Sequence, residues 1–321
     1  MPSVVLVTVW IGPLPAYLPL FLGSCRANPS VSFLIVCDQP APDGLPPNVR
    51  WVPMTLDGLN TRATARLGTP VRITTGYKVN DLKPLFGVVF ADEIGADDFW
   101  GFCDVDLLWG NLRRFLTDAF LASGDLFSFR GPSWLSGSLT LFRTTSVASR
   151  LYERIPTWRA VLADPRYHGI DEAAFRYDEV ERTVRDLVDG EQAVSLTDLA
   201  REAHASGDLR LVTPEFIAEP RASWAPYAYV WTDGTLVDAT ASQERMMLHF
   251  VHIKHEPFTH LVGTDPLPDV LYVTRIGTTT VPPEAHLSRW VEAARRAVAD
   301  LPRAVRWYGG RIANKLVSLG R

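Results

Sequence analysis

Apolar residues in the first hundred positions come in short unbroken runs divided by turn residues. Val4 to Ile11 is continuous and rich in β-branched side chains, Val31 to Cys37 repeats the pattern, and Val49 to Met54 supplies a third run. Unbroken apolar runs suit strands of a parallel sheet covered on both faces. Gly12-Pro13-Leu14-Pro15 punctuates the first run, and the proline-rich stretch Gln39 to Pro47 follows the second. Between them, Leu18, Phe21 and Leu22 recur at helical spacing within Ala16 to Ala27. The resulting β-α-β-β order has the spacing of a doubly wound nucleotide-binding half.

Farther on, Asp57 to Thr75 is polar and rich in Thr and Arg, and reads as a loop or short helix. Tyr77 to Asp92 reads as a helix that tolerates Pro84. Asp98 to Cys103 is the next strand and delivers Asp104 and Asp106 at its carboxyl end. Asn111 to Ala122 is expected to be helical, Asp125 to Arg130 and Ser138 to Arg143 to be strands. Ser146 to Ala163 and Glu179 to His204 are expected to be helical, the latter broken near Gly190. Strand-like pieces recur at Tyr227 to Val237 and Met246 to Lys254. The expectation is one α/β domain over residues 1–283, with a mostly parallel sheet flanked by helices, and a helical extension over 284–321. In the extension Leu287, Trp290, Val291, Ala294, Val298 and Leu301 keep helical spacing.

Composition narrows the function classes. The 321 residues are 47% hydrophobic and 21% charged, the balance of an ordinary globular chain. A net charge of −4 gives no broad electrostatic reason to expect nucleic acid as a partner. Cys25, Cys37 and Cys103 are scattered in apolar segments and suggest neither disulfides nor zinc, which fits a reduced cytoplasmic compartment. Met1-Pro2-Ser3 lacks the basic start of a signal peptide, and no apolar run reaches the roughly 18 residues of a spanning helix. From residue 285 onward eight Lys/Arg face only Glu292 and Asp300. Basic amphipathic helices bearing Trp can lie on anionic lipid; helices packed on the domain with their arginines outward would carry the same pattern.

The candidate chemistry centres on Asp104-Val105-Asp106. Two carboxylates just past a buried strand sit where open α/β sheets bind ligands, and hard divalent ions want such oxygen ligands. The same pair could merely cap a helix. Asp171-Glu172, before Ala173-Ala174-Phe175, can be an acceptor-side acid pair or a helix start, and the two roles are compatible.

Tyr77-Lys78-Val79-Asn80-Asp81-Leu82-Lys83-Pro84, then a short helix, then a strand ending Asp104-Val105-Asp106, resembles the donor half of GT-A-fold glycosyltransferases. The similarity is to a poorly characterised bacterial group and, more distantly, to the glycogenin and lipopolysaccharide-galactosyltransferase type. It covers roughly residues 4–255 in motif order. The resemblance implies that Thr8 and Trp10 line a nucleoside pocket with Asp38 nearby, and that Lys78, Asp81 and Lys83 sit beside the nucleotide sugar. Asp104 and Asp106 match the family's metal motif. Ser136-Gly137-Ser138 is similar to the small-residue turn where donor sugar and acceptor meet. His249-Phe250-Val251-His252-Ile253-Lys254 resembles the late His…Lys motif, whose histidine completes the metal shell and whose lysine, here Lys254, contacts the diphosphate. The family pattern has a glycine between His and Lys and a longer spacing, so His249 and His252 both stand as ligands, with His249 preferred. Mn²⁺ suits such mixed oxygen and nitrogen ligands, with Mg²⁺ the alternative.

The expected activity is transfer of a hexose from a nucleotide diphosphate sugar, UDP-linked, to a hydroxyl of a glycan or lipid-linked acceptor. Of the two readings of the extension, packing on the domain is preferred; on the lipid alternative it would touch the inner face of a membrane. Two rivals are a haloacid-dehalogenase-like phosphatase using Asp104 and Asp106, and a non-catalytic sugar-nucleotide or carbohydrate binder of the same fold. The phosphatase motif follows a first strand, whereas here it follows a mid-chain strand. The phosphate loop Gly-x-x-x-x-Gly-Lys-Ser/Thr and the serine elbow Gly-x-Ser-x-Gly are both absent.

Overall fold

The computed structural model describes residues 1–174, 187–188, 191–192, 194–220, 228–255, 259–274 and 277–282. The apolar runs become strands β1 (Val4–Trp10), β2 (Ser32–Cys37), β3 (Val49–Pro53) and β4 (Phe99–Cys103). A short β5 (Leu107–Trp109) leaves their sheet, and β6 (Leu126–Ser128) and β7 (Leu139–Arg143) rejoin it. The order is Leu211–Val212, β6, β7, β4, β1, β2, β3. Neighbours are parallel except at β7, which runs antiparallel to β4 and β6. The sheet is therefore mostly parallel and the class α/β, as the unbroken runs require. β4, in the interior, is buried throughout, whereas β3, on the edge, is half-buried or exposed beyond Val49.

The contacts divide the chain into two units. One comprises Met1–Pro15, Cys25–Val105 and Leu112–Ile217; the other comprises Ala16–Ser24, Asp106–Asn111 and the described residues from Ala218 onward. In the first, Val5, Val7, Leu34, Val36, Trp100 and Phe102 pack with Leu82, Phe86 and Phe90 in one core. Trp100 stacks on Phe142, centroids 4.4 Å apart and planes 9° from parallel. Each such fully buried side chain contributes roughly 1.5–3 kcal/mol relative to exposure.

Several expected elements change form. Asp57–Thr75 takes the helical alternative over its first part: a helix runs Leu56–Leu67, capped by Thr55, whose hydroxyl accepts from Gly58 N, and ended by Gly68 at φ 62°. Tyr77–Asp92 is not one helix but a 3-10 run Tyr77–Leu85 followed by single turns Phe86–Val89 and Ala91–Ile94. Pro84 lies inside the 3-10 run, and its missing N–H cannot close an α-helical turn. Ser146–Ala163 breaks into Val147–Arg154 and Trp158–Ala163 around Pro156. Of Glu179–His204, only the end is helical among the described residues, as Leu196–Ala205, while Leu187–Val188 pairs with Glu191–Gln192.

The second unit holds an antiparallel sheet ordered Gln243–Arg245, Thr235–Asp238, Ala228–Thr232, Val270–Thr274, Gly277–Thr279. The strand expected at Tyr227–Val237 is a hairpin turning at Asp233-Gly234, both at positive φ, the conformation a two-residue Asp-Gly loop supplies. Residues 284–321, and with them the proposed extension, lie outside the described residues. Among the described residues no helix is long and apolar enough to cross a membrane, and the three cysteines are buried.

Candidate functional site

In the first unit, the end of β4 is fixed by its neighbours. The Thr8 hydroxyl on β1 donates to the Cys103 carbonyl, and Asp104 N–H donates to Ser138 O at 3.1 Å. Gly101 admits close packing here, since an added Cβ would stand 2.6 Å from Thr140 O on β7.

Beside Asp104 lies a buried cluster of charge. Lys83 Nζ donates to Asp104 Oδ1 at 2.6 Å and to Gly137 O at 2.7 Å, and stands 3.9 Å from Asp171 Oδ2. Burial works against the charge on Lys83, but Asp104, Asp171 and Glu172 outweigh it and hold the ammonium above its ordinary pKa. Asp171 is pushed well above the usual carboxylate range. Burial is the main cause, opposed by Lys83 and reinforced by Glu172 and Asp81. The Tyr167 hydroxyl donates to Asp171 Oδ1 at 3.0 Å. Glu172 Oε1 accepts the Gly137 N–H at 2.7 Å, where a Cβ on Gly137 would sit 2.6 Å from that oxygen. The Ser136-Gly137-Ser138 turn is further tied by a 2.8 Å contact between its two hydroxyls. Asp171 and Glu172 themselves lie in a turn, with Ala174 N–H bonded to Gly169 O.

Lys78 and Asp81 are placed differently. Both are buried and paired at 2.8 Å, and Lys78 Nζ also donates to Val161 O at 2.7 Å. The Asp81 carboxylate accepts the N–H groups of His168 and Ile170 at 2.8 and 3.2 Å. These contacts pin the loop that carries Asp171 and Glu172. Trp10 and Asp38 stand at adjacent carboxyl ends of β1 and β2. Trp10 Nε1 donates to Pro13 O at 3.0 Å, and Asp38 Oδ1 accepts from Gly12 N at 2.9 Å.

In the second unit, β5 pairs antiparallel with Met247–His249, setting Leu107 opposite His249. Asp106 O accepts the Phe250 N–H at 2.9 Å. Asp106 Oδ2 lies 2.6 Å from Lys254 Nζ and 3.4 Å from His249 Nε2. Burial disfavours the charge on Asp106, but His249 and Lys254 outweigh it and hold the carboxyl well below its usual range. The other ring nitrogen, His249 Nδ1, is 2.8 Å from Glu219 Oε1. The chain leaves the strand after His249, and His252 falls exposed in a turn. Sequence reasoning missed Glu219: a lone carboxylate before Pro220 carries no spacing signal.

Asp104 and Asp106 are separated by Val105 alone, and with His249 they form a metal-capable group. Each offers one ligand atom, all within 4.8 Å of one another. Two carboxylates and an imidazole are a donor set a divalent ion accepts, and His249, not His252, is its histidine.

Residues 6–271 match the model of a family described only as of unknown function, DUF6625. The chain belongs to DUF6625. No curated protein matches it in sequence. Solved structures similar to this DUF6625 chain are glycosyltransferases. The galactosyltransferase LgtC, in complex with donor and acceptor sugar analogues, is 10% identical, covering 80% of this chain and 90% of that one with a TM-score of 0.36. Mouse xyloside xylosyltransferase 1 is 11% identical over 70% and 90%, TM-score 0.36. The bifunctional glycosyltransferase WbbM is 12% identical over 83% of this chain and 48% of that one, TM-score 0.40. At such scores the similarities carry no weight beside the geometry of the DUF6625 site itself.

Proposed function

We propose that the chain is a metal-dependent glycosyltransferase of GT-A type, moving a hexose from a UDP-linked or similar nucleotide diphosphate sugar to a hydroxyl of a glycan or glycolipid. What supports it most is the grouping of Asp104, Asp106 and His249 around one point, just past the carboxyl end of a strand in a mostly parallel sheet. Open α/β sheets bind ligands at that end. These three residues would hold Mn²⁺ or Mg²⁺, which when bound supplies positive charge against the leaving diphosphate.

The remaining roles follow from placement. Thr8, Trp10 and Asp38, at the ends of β1 and β2, would face the nucleoside. Lys254, 22% exposed at its side chain, can turn from Asp106 toward a diphosphate. Lys83, held by Asp104 and Gly137, would fix the turn at Ser136 and Gly137 while keeping a donor for the diphosphate. Lys78 and Asp81 would act through the loop they pin. On the acceptor side, burial favours the neutral acid at Asp171, which suits hydrogen-bond donation, and Glu172 is the carboxylate suited to take a proton. On the lipid alternative, residues 284–321 would contact the inner face of a membrane. Loss of sedimentation with anionic liposomes on deleting 285–321 would bear this out, and a full-length chain that never sediments would sink it.

A thermal-shift screen of nucleotide sugars with and without Mn²⁺ tests class, donor and metal together. A UDP-sugar should raise the unfolding temperature more with Mn²⁺ than without. No response to any nucleotide sugar would refute the proposal. Binding without hydrolysis or transfer would point to a non-catalytic binder, and phosphate release from phosphomonoesters to a phosphatase.

A further inference from the structure

We propose that Glu219 is a positioning residue for a divalent cation, setting the ring of His249 so that Nε2 is presented to the ion beside Asp106; this rests on the metal-binding reading above. Three observations within one unit carry it. Glu219 Oε1 lies 2.8 Å from His249 Nδ1. On the opposite side of the same ring, Nε2 lies 3.4 Å from Asp106 Oδ2. Both partners are largely shielded, with side chains 15% and 8% exposed.

The chemistry of the ring does the rest. An ionised carboxylate only accepts, so the nitrogen facing Glu219 must carry its proton. When a cation displaces the proton on the other nitrogen, the lone pair so released is on Nε2 alone, the nitrogen 3.4 Å from Asp106 Oδ2. A metal-binding imidazole needs that lone pair fixed in direction, and a carboxylate on the far nitrogen selects the tautomer and holds the ring's orientation. Without Glu219, a second tautomer and a rotated ring become accessible, and both withdraw the ligand. The backbone is held separately, by the pairing of Met247–His249 with β5, so Glu219 governs the side chain and not the strand.

A structural prop and a positioning residue differ in what they change. Removing a prop lowers stability and leaves metal affinity intact in the protein that still folds. Removing a positioning residue weakens metal binding beyond any loss of stability. The experiment is titration calorimetry with Mn²⁺ alone, on the full chain, for wild type, Glu219→Ala and Glu219→Gln, with thermal midpoints taken in the absence of metal. Glu219→Ala should bind Mn²⁺ about 10–100-fold more weakly, the range for loss of a carboxylate behind a metal-bound histidine. Glu219→Gln keeps an oxygen that accepts from Nδ1–H and should recover part of that loss. If Glu219→Ala does not fold, Glu219→Gln carries the test, with several-fold weaker binding expected. Wild-type affinity in whichever variant folds overturns the inference, as does a lowered metal-free midpoint with affinity unchanged. A wild type that binds no Mn²⁺ overturns the metal reading itself and the inference with it.

Discussion

Lys83→Met removes an ammonium from among three carboxylates while keeping most of the side chain's length. Lys83 is 6% exposed at its side chain and bonds Asp104 at 2.6 Å and Gly137 O at 2.7 Å, with Asp171 at 3.9 Å. Removing one partner of a fully buried pair costs about 3–5 kcal/mol. Two features lower that figure here. Asp104 is 31% exposed, so water takes over part of its solvation. Asp171, which burial already pushes toward its neutral form, can bind a proton in place of the lost ammonium. Against this, the Gly137 carbonyl loses its donor, and an unpaired buried acceptor costs about 1–3 kcal/mol. The net expectation is a loss of about 2–4 kcal/mol, read from urea unfolding followed by circular dichroism. With Asp171→Asn already present, the same substitution should cost at least about 1 kcal/mol less, because the two groups interact. A loss below about 0.5 kcal/mol, the size of an ordinary surface change, or strict additivity with Asp171→Asn, would refute the electrostatic account of the cluster.

Two further outcomes probe the same turn. Gly137→Ala should force the Glu172 carboxylate out of its bond to the Gly137 N–H, since the new Cβ would stand 2.6 Å from Oε1. The expected cost is about 1.5–3 kcal/mol, that of a hydrogen bond to a charged group, and combining it with Glu172→Ala should erase most of the increment; an unaltered denaturation midpoint would contradict this. Asp171 binds its proton more tightly folded than unfolded, so stability should fall as pH rises from about 4, its unfolded value, toward the folded one. Asp171→Asn should lack that decline, so its thermal midpoint relative to wild type should climb with pH over that window; parallel pH profiles would exclude the assignment.

The sheet was legible because β1, β2 and β4 are buried on both faces and so read as unbroken apolar runs. The helix Leu56–Leu67 was legible only as one of two alternatives. Gly58, Asn60, Thr61 and Thr64 are weak helix formers, and only two of its residues, Leu59 and Ala63, are buried, which leaves almost no apolar periodicity to see. The caps Thr55 and Gly68 were the available signal. At the site, Asp104 and Asp106 followed from their position after a buried strand. Alternation could not choose between His249 and His252: three positions apart, they would point to opposite faces of a continuing strand, and nothing local says which face holds the ion or that the strand ends at His249. Lys78 and Asp81 stand on a 3-10 segment three residues apart, where side chains nearly eclipse, so they meet each other; a helix drawn from apolar spacing alone gives no hint that both are enclosed. Glu219 reaches His249 across 30 residues of sequence, a contact made by tertiary pairing and therefore invisible to local pattern.

The acidic pair is proposed as a cation site that serves a nucleotide. Calorimetric titration of UDP into the wild-type chain should show binding that strengthens markedly when Mn²⁺ is present. In Asp106→Asn that Mn²⁺-dependent gain should largely vanish, a loss of about 2–4 kcal/mol for a removed ligand, while the far-ultraviolet dichroism stays that of the folded chain. Mn²⁺-dependent UDP binding of wild-type strength in a folded Asp106→Asn protein would contradict the central claim.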